Sequence, residues 1–324
     1  MRSGYHGGID PLLYLKGRHY WHQRSPSTLR FAIQCFEQAI DFDPRYALTY
    51  AGLSDCYGIL RFYGWISAEE ARPPARAAME QAMSLAPSLW EVSFSRAFYA
   101  YYFEKNWREA EPHFQKAIAI NPRSSLAQIY YGLFLTALGR VEDALALAQL
   151  ACDLDPLSSF IHSLASATCS TVGRLDEAER AAQRALELQP GALFGLWIHG
   201  LALTGLARHE EAVEALERAA ALSRAPIFVG LMGMVSARAG RREDALRLVR
   251  ELQDRGSRGE YVPAFALLAI HVGLGDVPEI RRTLSRALAE ATPPLTLRVT
   301  AGQFLESFRS DPEINRMLLE LYGW

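Results

Sequence analysis

"ALGRVEDALALAQLACDLDP", residues 137–156, decides how this chain folds, because the chain writes it repeatedly. Its ending, "ACDLDP" at 151–156, returns as "AIDFDP" at 39–44, "AMSLAP" at 82–87, "AIAINP" at 117–122 and "ALELQP" at 185–190. The prolines stand at 44, 87, 122, 156 and 190, so the steps are 43, 35, 34 and 34 residues. A phrase with that period marks the end of a structural unit rather than a set of reacting groups.

Twelve residues before each proline stands an alanine: Ala32, Ala75, Ala110, Ala144 and Ala178. Five before it stands another: Ala39, Ala82, Ala117, Ala151 and Ala185. The pattern outlives the proline in Ala212 and Ala219, then Ala245, then Ala287. Between the two alanines lies a larger apolar or small residue, such as Phe36, Met79, Phe114 or Leu216. Spacings of four and three put all three positions on one helix face.

Upstream, a second helical pattern carries a small residue midway: Ser54, Ala97, Gly132, Ser166, Gly200 and Gly233. "ALGRVEDA" at 137–144, "TVGRLDEA" at 171–178 and "RAGRREDA" at 238–245 join the two patterns. Their glycine suits the left-handed residue that ends a helix, and the acids after it suit the next helix's N-terminus. Proline then stops the second helix, having no N–H to donate. The unit is helix, tight turn, helix, proline stop. Small residues stand where helices cross closely, and large ones where they interlock. The predicted fold is all-α: a right-handed solenoid, or superhelix, of about eight such pairs.

Composition agrees with a repeat array. The 324 residues are 50% hydrophobic and 22% charged, ample for a large core, with a formal net charge of −2 that gives no push toward nucleic acid. Arginine greatly outnumbers lysine, which occurs only as Lys16, Lys105 and Lys116; we read this as a trace of a GC-rich, bacterial coding sequence. Cys35, Cys56, Cys152 and Cys169 lack CxxC spacing and fall in helical patterns, so buried free thiols in a reducing cytosol are expected. The start, "MRSGYHGGIDP", has no apolar signal core. The most apolar stretch, 261–275, is shorter than the roughly 20 residues a membrane span needs. A cytoplasmic protein is expected.

Departures from the period locate the special regions. The second unit is stretched by "RFYGWISAEEARPPA" at 61–75, where Ser67 and Glu70 suggest a capping box and Pro73-Pro74 a restart or kink. The third unit has one extra residue around "FEKNWREA" at 103–110. The unit at 226–252 lacks its proline and runs into "DRGSRGEY", a connector. "LESFRSDPEINRMLLEL" at 305–321 breaks the columns, with a helix expected from Asp311-Pro312 to cover the last repeat. The organisation expected is therefore a tail at 1–10, the array at 11–290, and a loop with a capping helix at 291–324.

The period and columns resemble the tetratricopeptide repeat (TPR), whose helix pairs stack into a superhelix. More narrowly, "GRHYWHQRSPSTLRFAI" at 17–33, the long second-unit insert and "FRSDPEINRML" at 308–318 resemble the C-terminal repeat regions of bacterial multidomain regulators. Those are winged-helix transcriptional activators, adenylate cyclases and serine/threonine kinases. The resemblance implies a protein-interaction module in regulation, without the effector domain those proteins carry. No GxGxxG, HRD-like triplet or Walker lysine occurs here.

His19 and His22 have a metal-ligand spacing, but no further ligand stands nearby and Tyr20 and Trp21 point to helix packing. Arg238, Arg241, Arg242, Arg247, Arg250, Arg255 and Arg258 are interleaved with Glu243, Asp244, Glu251 and Asp254, a solvated, internally paired face rather than a nucleic-acid site. No serine, cysteine or threonine stands in a nucleophile elbow. No enzyme activity, metal or cofactor is expected. The better candidate is the concave groove lined by the first helix of each pair. Its columns give Phe94, Phe98, Tyr101, Tyr102, Ile129, Leu133, Phe160, Trp197, Leu201 and Met234, an exposed row that would mark a partner site. Ala51 and Asp55 stand where relatives that grip a peptide carboxylate carry basic and amide groups, so an acidic tail is not the expected ligand. The expectation is a protein partner, either an apolar or amphipathic segment or a folded neighbour, with neither nucleic acid nor membrane bound directly. The alternative is a sensory domain of a signalling or transcriptional regulator that takes a small molecule.

Overall fold

The computed structural model describes residues 11–290 and 304–322; the expected tail at 1–10 and the loop at 291–303 lie outside the described residues. Among the described residues there are seventeen α-helices and no strand. The chain forms two compact units. Among the described residues, the first takes 11–61 plus Glu69–Arg123, and the second takes Phe62–Ala68 plus 124–290 and 304–322.

The first unit holds α1 (Pro11–Gln23), α2 (Pro26–Phe42), α3 (Ala47–Phe62), α4 (Ala68–Leu85), α5 (Trp90–Tyr99) and α6 (Trp107–Ile120), apart from the α3–α4 junction. The second holds α7 (Ser125–Ala137), α8 (Val141–Leu154), α9 (Ser159–Thr171), α10 (Leu175–Leu188), α11 (Leu193–Gly205) and α12 (His209–Leu222). It continues with α13 (Pro226–Arg238), α14 (Arg242–Ser257), α15 (Ala264–Leu274), α16 (Val277–Ala289) and the closing α17 (Pro312–Tyr322). In chain order α1 to α16 are eight helix–turn–helix pairs, as the columns require.

Each predicted device takes a definite form. The alanines of both columns are buried, Ala32, Ala75, Ala110, Ala144 and Ala178 completely, and so are the large residues between them. Close crossing explains their size. A Cβ on Gly52 would strike the Phe36 ring, one on Gly200 would strike Leu216, and Gly132 faces the Ala144 carbonyl. One repeat later the equivalent Ser166 uses that proximity, its hydroxyl donating to the Ala178 carbonyl at 2.6 Å. Gly139, Gly173 and Gly240 are left-handed at the turns, with φ of 74°, 79° and 81°. Ala207 holds the same conformation at φ 58°, where a side chain is costly.

Neighbouring repeats are joined by a latch that the columns did not reveal. A basic side chain on the second helix of a pair donates to a carbonyl just before or at the start of that pair. Lys116 reaches Pro87 (2.7 Å), Arg218 reaches Pro190 (3.2 Å), Arg255 reaches Arg224 (2.8 Å) and Arg286 reaches Val262 (3.0 Å). These carbonyls lie beyond a helix end, where no intrahelical donor serves them.

The departures are equally concrete. The extra residue of the third unit is absorbed by a π turn at Ala100–Glu104, closed by Lys105 in the left-handed region. Pro73 and Pro74 neither end nor restart α4, which runs continuously past them. The helix hydrogen bonds that the prolines cannot donate fall on the exposed first turn at Glu69 and Glu70. α17 packs on α16 and buries its own Ile314 and Leu318. Its start is fixed by Asp311, which accepts from the Glu313 and Ile314 amides at 3.1 Å and pairs with Arg281.

Candidate functional site: the aromatic faces of the two units

In the first unit the aromatic residues come from α5 and the π turn. Phe94, Phe98, Tyr101 and Tyr102 are all buried, so they do not form the exposed row expected from the sequence. Phe98 lies 4.3 Å from the Tyr102 ring and sits over Gly58, the α3 position without a side chain to obstruct it. Phe94 meets Phe114, and Tyr101 meets Trp107 edge-on at 5.1 Å. The buried Arg61 donates to the Tyr102 carbonyl and lies 5.0 Å from the Phe103 ring centre. The π turn explains the error in part. One inserted residue rotates the following side chains by about 100°, which a straight helix count cannot follow.

The same unit has a polar interior. Asp55 on α3 is buried, with the Arg18 guanidinium 3.6 Å from its carboxylate and the Ser95 hydroxyl bonded to it. Burial outweighs both partners and raises its pKa to about 6. Arg18 and Arg24 stack on Trp21, at 4.4 and 3.7 Å from the ring centre. A buried acid next to arginine departs from the basic clamp that grips a peptide carboxylate. Ala51 beside it is buried as well.

The second unit assembles its aromatic face from separate stretches. Phe194 and Trp197 on α11 lie 5.5 Å apart, Trp197 and Phe228 on α13 are 5.6 Å apart, and Phe160 on α9 stands 5.5 Å from Phe194. Into this cradle projects the stretch before α4. Tyr63 lies 5.7 Å from Trp197, 5.9 Å from Phe228 and 6.4 Å from Phe194, and only 2% of its surface is exposed. Trp65 stacks on Tyr63 at 4.6 Å, and Phe62 reaches Trp197 at 5.9 Å. Gly64 makes the turn possible. Its φ is 68°, and a Cβ there would collide with Pro263, just before α15.

Of the other residues expected in the groove, Trp197, Ile129 and Met234 are buried, contrary to expectation. Trp197 is covered by the 62–65 stretch, and Met234 lies where the α13 backbone meets Gly273. Leu133, Phe160 and Leu201 are half-buried. Sequence reasoning missed Tyr63, Trp65, Phe194 and Phe228. The available signal was three aromatics within "RFYGWIS", in a stretch that the repeat does not need.

The remaining candidates resolve simply. No cluster of three metal-ligating side chains occurs among the described residues; His19 lies 2.9 Å from the Gln23 amide nitrogen instead. In the arginine cluster, Arg241 pairs with Glu210, Arg247 with Asp244 and Arg255 with Glu260. All four cysteines are free; Cys56 and Cys169 are buried, Cys35 and Cys152 only partly. No helix among the described residues is long and apolar enough to cross a membrane.

No family model matches the sequence. The transcriptional regulator HilA of Salmonella typhimurium is 24% identical over 149 residues, 45% of this chain and 26% of HilA. The chain thus spans about a quarter of the length of the curated relatives it matches. Among solved structures, the APC/C hetero-tetramer Cut9–Hcn1 aligns with a TM-score of 0.65 over 96% of this chain and 55% of its own, at 12% identity. The human IFIT1 dimer, solved with m7Gppp-AAAA, aligns with a TM-score of 0.62 over 96% of this chain and 71% of its own, at 16% identity. At such identities the likeness is one of fold. With its 34-residue helix pairs, alanine crossings and left-handed turns, this chain has the tetratricopeptide-repeat fold.

Proposed function

We propose that the chain is a protein-recognition scaffold of bacterial regulation, whose second unit takes an apolar or amphipathic segment of a partner protein on its aromatic face. The observation that carries this reading is the seating of Tyr63. Its ring comes from a stretch outside the helix pairs and is accepted among Phe194, Trp197 and Phe228, more than a hundred residues away in sequence. A face that receives an aromatic side chain from elsewhere has the shape and chemistry to receive one from a partner. Because stacked repeats hold α9, α11 and α13 in place, little ordering cost falls on the scaffold when it binds. The half-buried Phe160 and Leu201 offer accessible contacts on two of these helices.

The regulatory part of the reading is supported by the likeness to HilA, and a cytoplasmic location accords with it. In this reading the protein binds and does not catalyse. The test is affinity capture from lysate of the source organism, comparing the parent with a Phe160→Glu, Leu201→Glu variant that keeps its helical spectrum. Proteins caught by the parent and lost by the variant are expected. Identical captures, or none, would overturn the assignment of this face.

A further inference from the structure

The second unit's aromatic cradle is occupied by the chain's own residues, and the way it is occupied is informative. The repeat needs only about 34 residues per unit. The second repeat exceeds this by nine, its proline step being 43 residues, and the surplus contains "FYGW" at 62–65. This surplus adds no helix pair. Tyr63 leaves the local repeat and enters between α11 and α13, Gly64 lies against Pro263 just before α15, and Trp65 stacks on Tyr63. The contact spans three repeats through the Tyr63 ring and the glycine beside it, with Trp65 stacked on that ring across the turn, as a short peptide ligand would.

The fit is good in shape and incomplete in hydrogen bonding. The indole nitrogens of Trp65 and Trp197 are both buried, and no acceptor among the described residues reaches either. A buried indole N–H normally finds a partner, and leaving one unmet is unfavourable. A ligand that filled the same space and also brought a carbonyl to Trp197 would therefore outcompete the resident stretch contact for contact. The resident has the advantage of being tethered, which gives it an effective concentration in the millimolar range.

We propose that the cradle formed by Phe194, Trp197, Phe228 and Pro263 is a peptide-recognition site held closed in cis by the turn at Phe62–Trp65. Its partner is a segment that presents two aromatic side chains across a glycine, with a carbonyl for the Trp197 N–H. The inference rests on the scaffold reading above and adds to it the class of ligand and the closed state.

The test uses the full chain and a fluorescein-labelled peptide with the sequence of residues 60–70, LRFYGWISAEE, titrated by anisotropy. A Tyr63→Ser, Trp65→Ser variant opens the site, with circular dichroism confirming its helix content. The open variant is expected to bind the peptide saturably and about tenfold or more tightly than the parent, which still holds its tethered competitor. Adding Trp197→Ala to the open variant should reverse that gain, and a peptide with both aromatics replaced by serine should not bind. Equal affinity for parent and open variant would overturn closure while leaving the scaffold reading intact. No binding to a folded open variant would remove the cradle from both. An open variant that fails to fold would make the turn an indispensable part of the core and overturn the proposal. A parent that sediments as a dimer, with a monomeric open variant, would assign the seat to a second copy's turn and overturn closure in cis.

Discussion

The first unit builds its main aromatic cluster on one stretch, with Trp107 and Phe114 of α6 against it, whereas the second collects its set from four. Phe94, Phe98, Tyr101, Tyr102 and Phe103 follow one another along α5 and the π turn, and they pack on each other and on α3 and α6. The second unit's set comes from residues 62–65, α9, α11 and α13. The interiors differ too, since the first unit buries Asp55 and Arg61 behind its aromatics while the second fills its cradle with rings alone. Aromatics that are neighbours in sequence serve as core. Aromatics brought together by stacking line a cradle, and the 62–65 stretch fills it. The difference separates what holds the array together from what it can hold.

The sharpest way to break this comparison is to remove a side chain assigned to core. Phe98→Ala should destabilise the first unit by about 3–5 kcal/mol, the range for emptying a buried aromatic site. Urea unfolding followed by circular dichroism measures it, and a loss under about 1 kcal/mol would return Phe98 to the surface.

The polar interior of the first unit makes its stability depend on pH. Asp55 has a folded pKa of about 6 against 3.8 for a free carboxyl, so between these values the folded protein keeps a proton that the unfolded chain releases. Stability from this group is therefore present below about pH 4 and is lost as pH rises through 6. The full swing is on the order of 2–3 kcal/mol. Melting curves of the parent and Asp55→Asn should diverge across that window, with the parent falling as pH rises, and parallel curves would show that folding does not raise the Asp55 pKa.

In the second unit the corresponding weak point is geometric. Gly230 and Gly273 let the backbones of α13 and α15 touch, and a Cβ at Gly230 would fall on the Ala266 backbone. Gly230→Ala should cost about 1–3 kcal/mol net of its gain in helix propensity, lowering Tm by several degrees. Ala207→Gly should act the other way, relieving the left-handed strain that glycine avoids at the equivalent turns. A gain of about 0.5–1 kcal/mol is expected, and no gain would mean that the turn tolerates alanine freely.

The repeat was legible because the residues that build it are close in sequence. Ala144, Ala148 and Ala151 mark one face of one helix, and their burial follows from spacing alone. Gly139 and Gly173 took their left-handed turns for the same reason. The candidate site was much less legible. Counting on from Phe94 along a regular helix could not anticipate the π turn that reorients Tyr101 and Tyr102. No local pattern links Tyr63 to Trp197 or Phe228, because their proximity arises from stacking. The latches from Lys116, Arg218 and Arg286 were equally silent, since their acceptors are backbone carbonyls that no residue type identifies.

The central claim is that Tyr63 occupies the cradle built around Trp197, and a double-mutant cycle tests it most directly. Tyr63→Ala, Trp197→Ala and the double variant would be compared with the parent by denaturant unfolding of the second unit. The two rings are in contact at 5.7 Å, so the account predicts a coupling of about 0.5–1.5 kcal/mol, as for other aromatic pairs. Strictly additive losses would contradict it, and would mean that the 62–65 turn does not fill the aromatic face of the second unit.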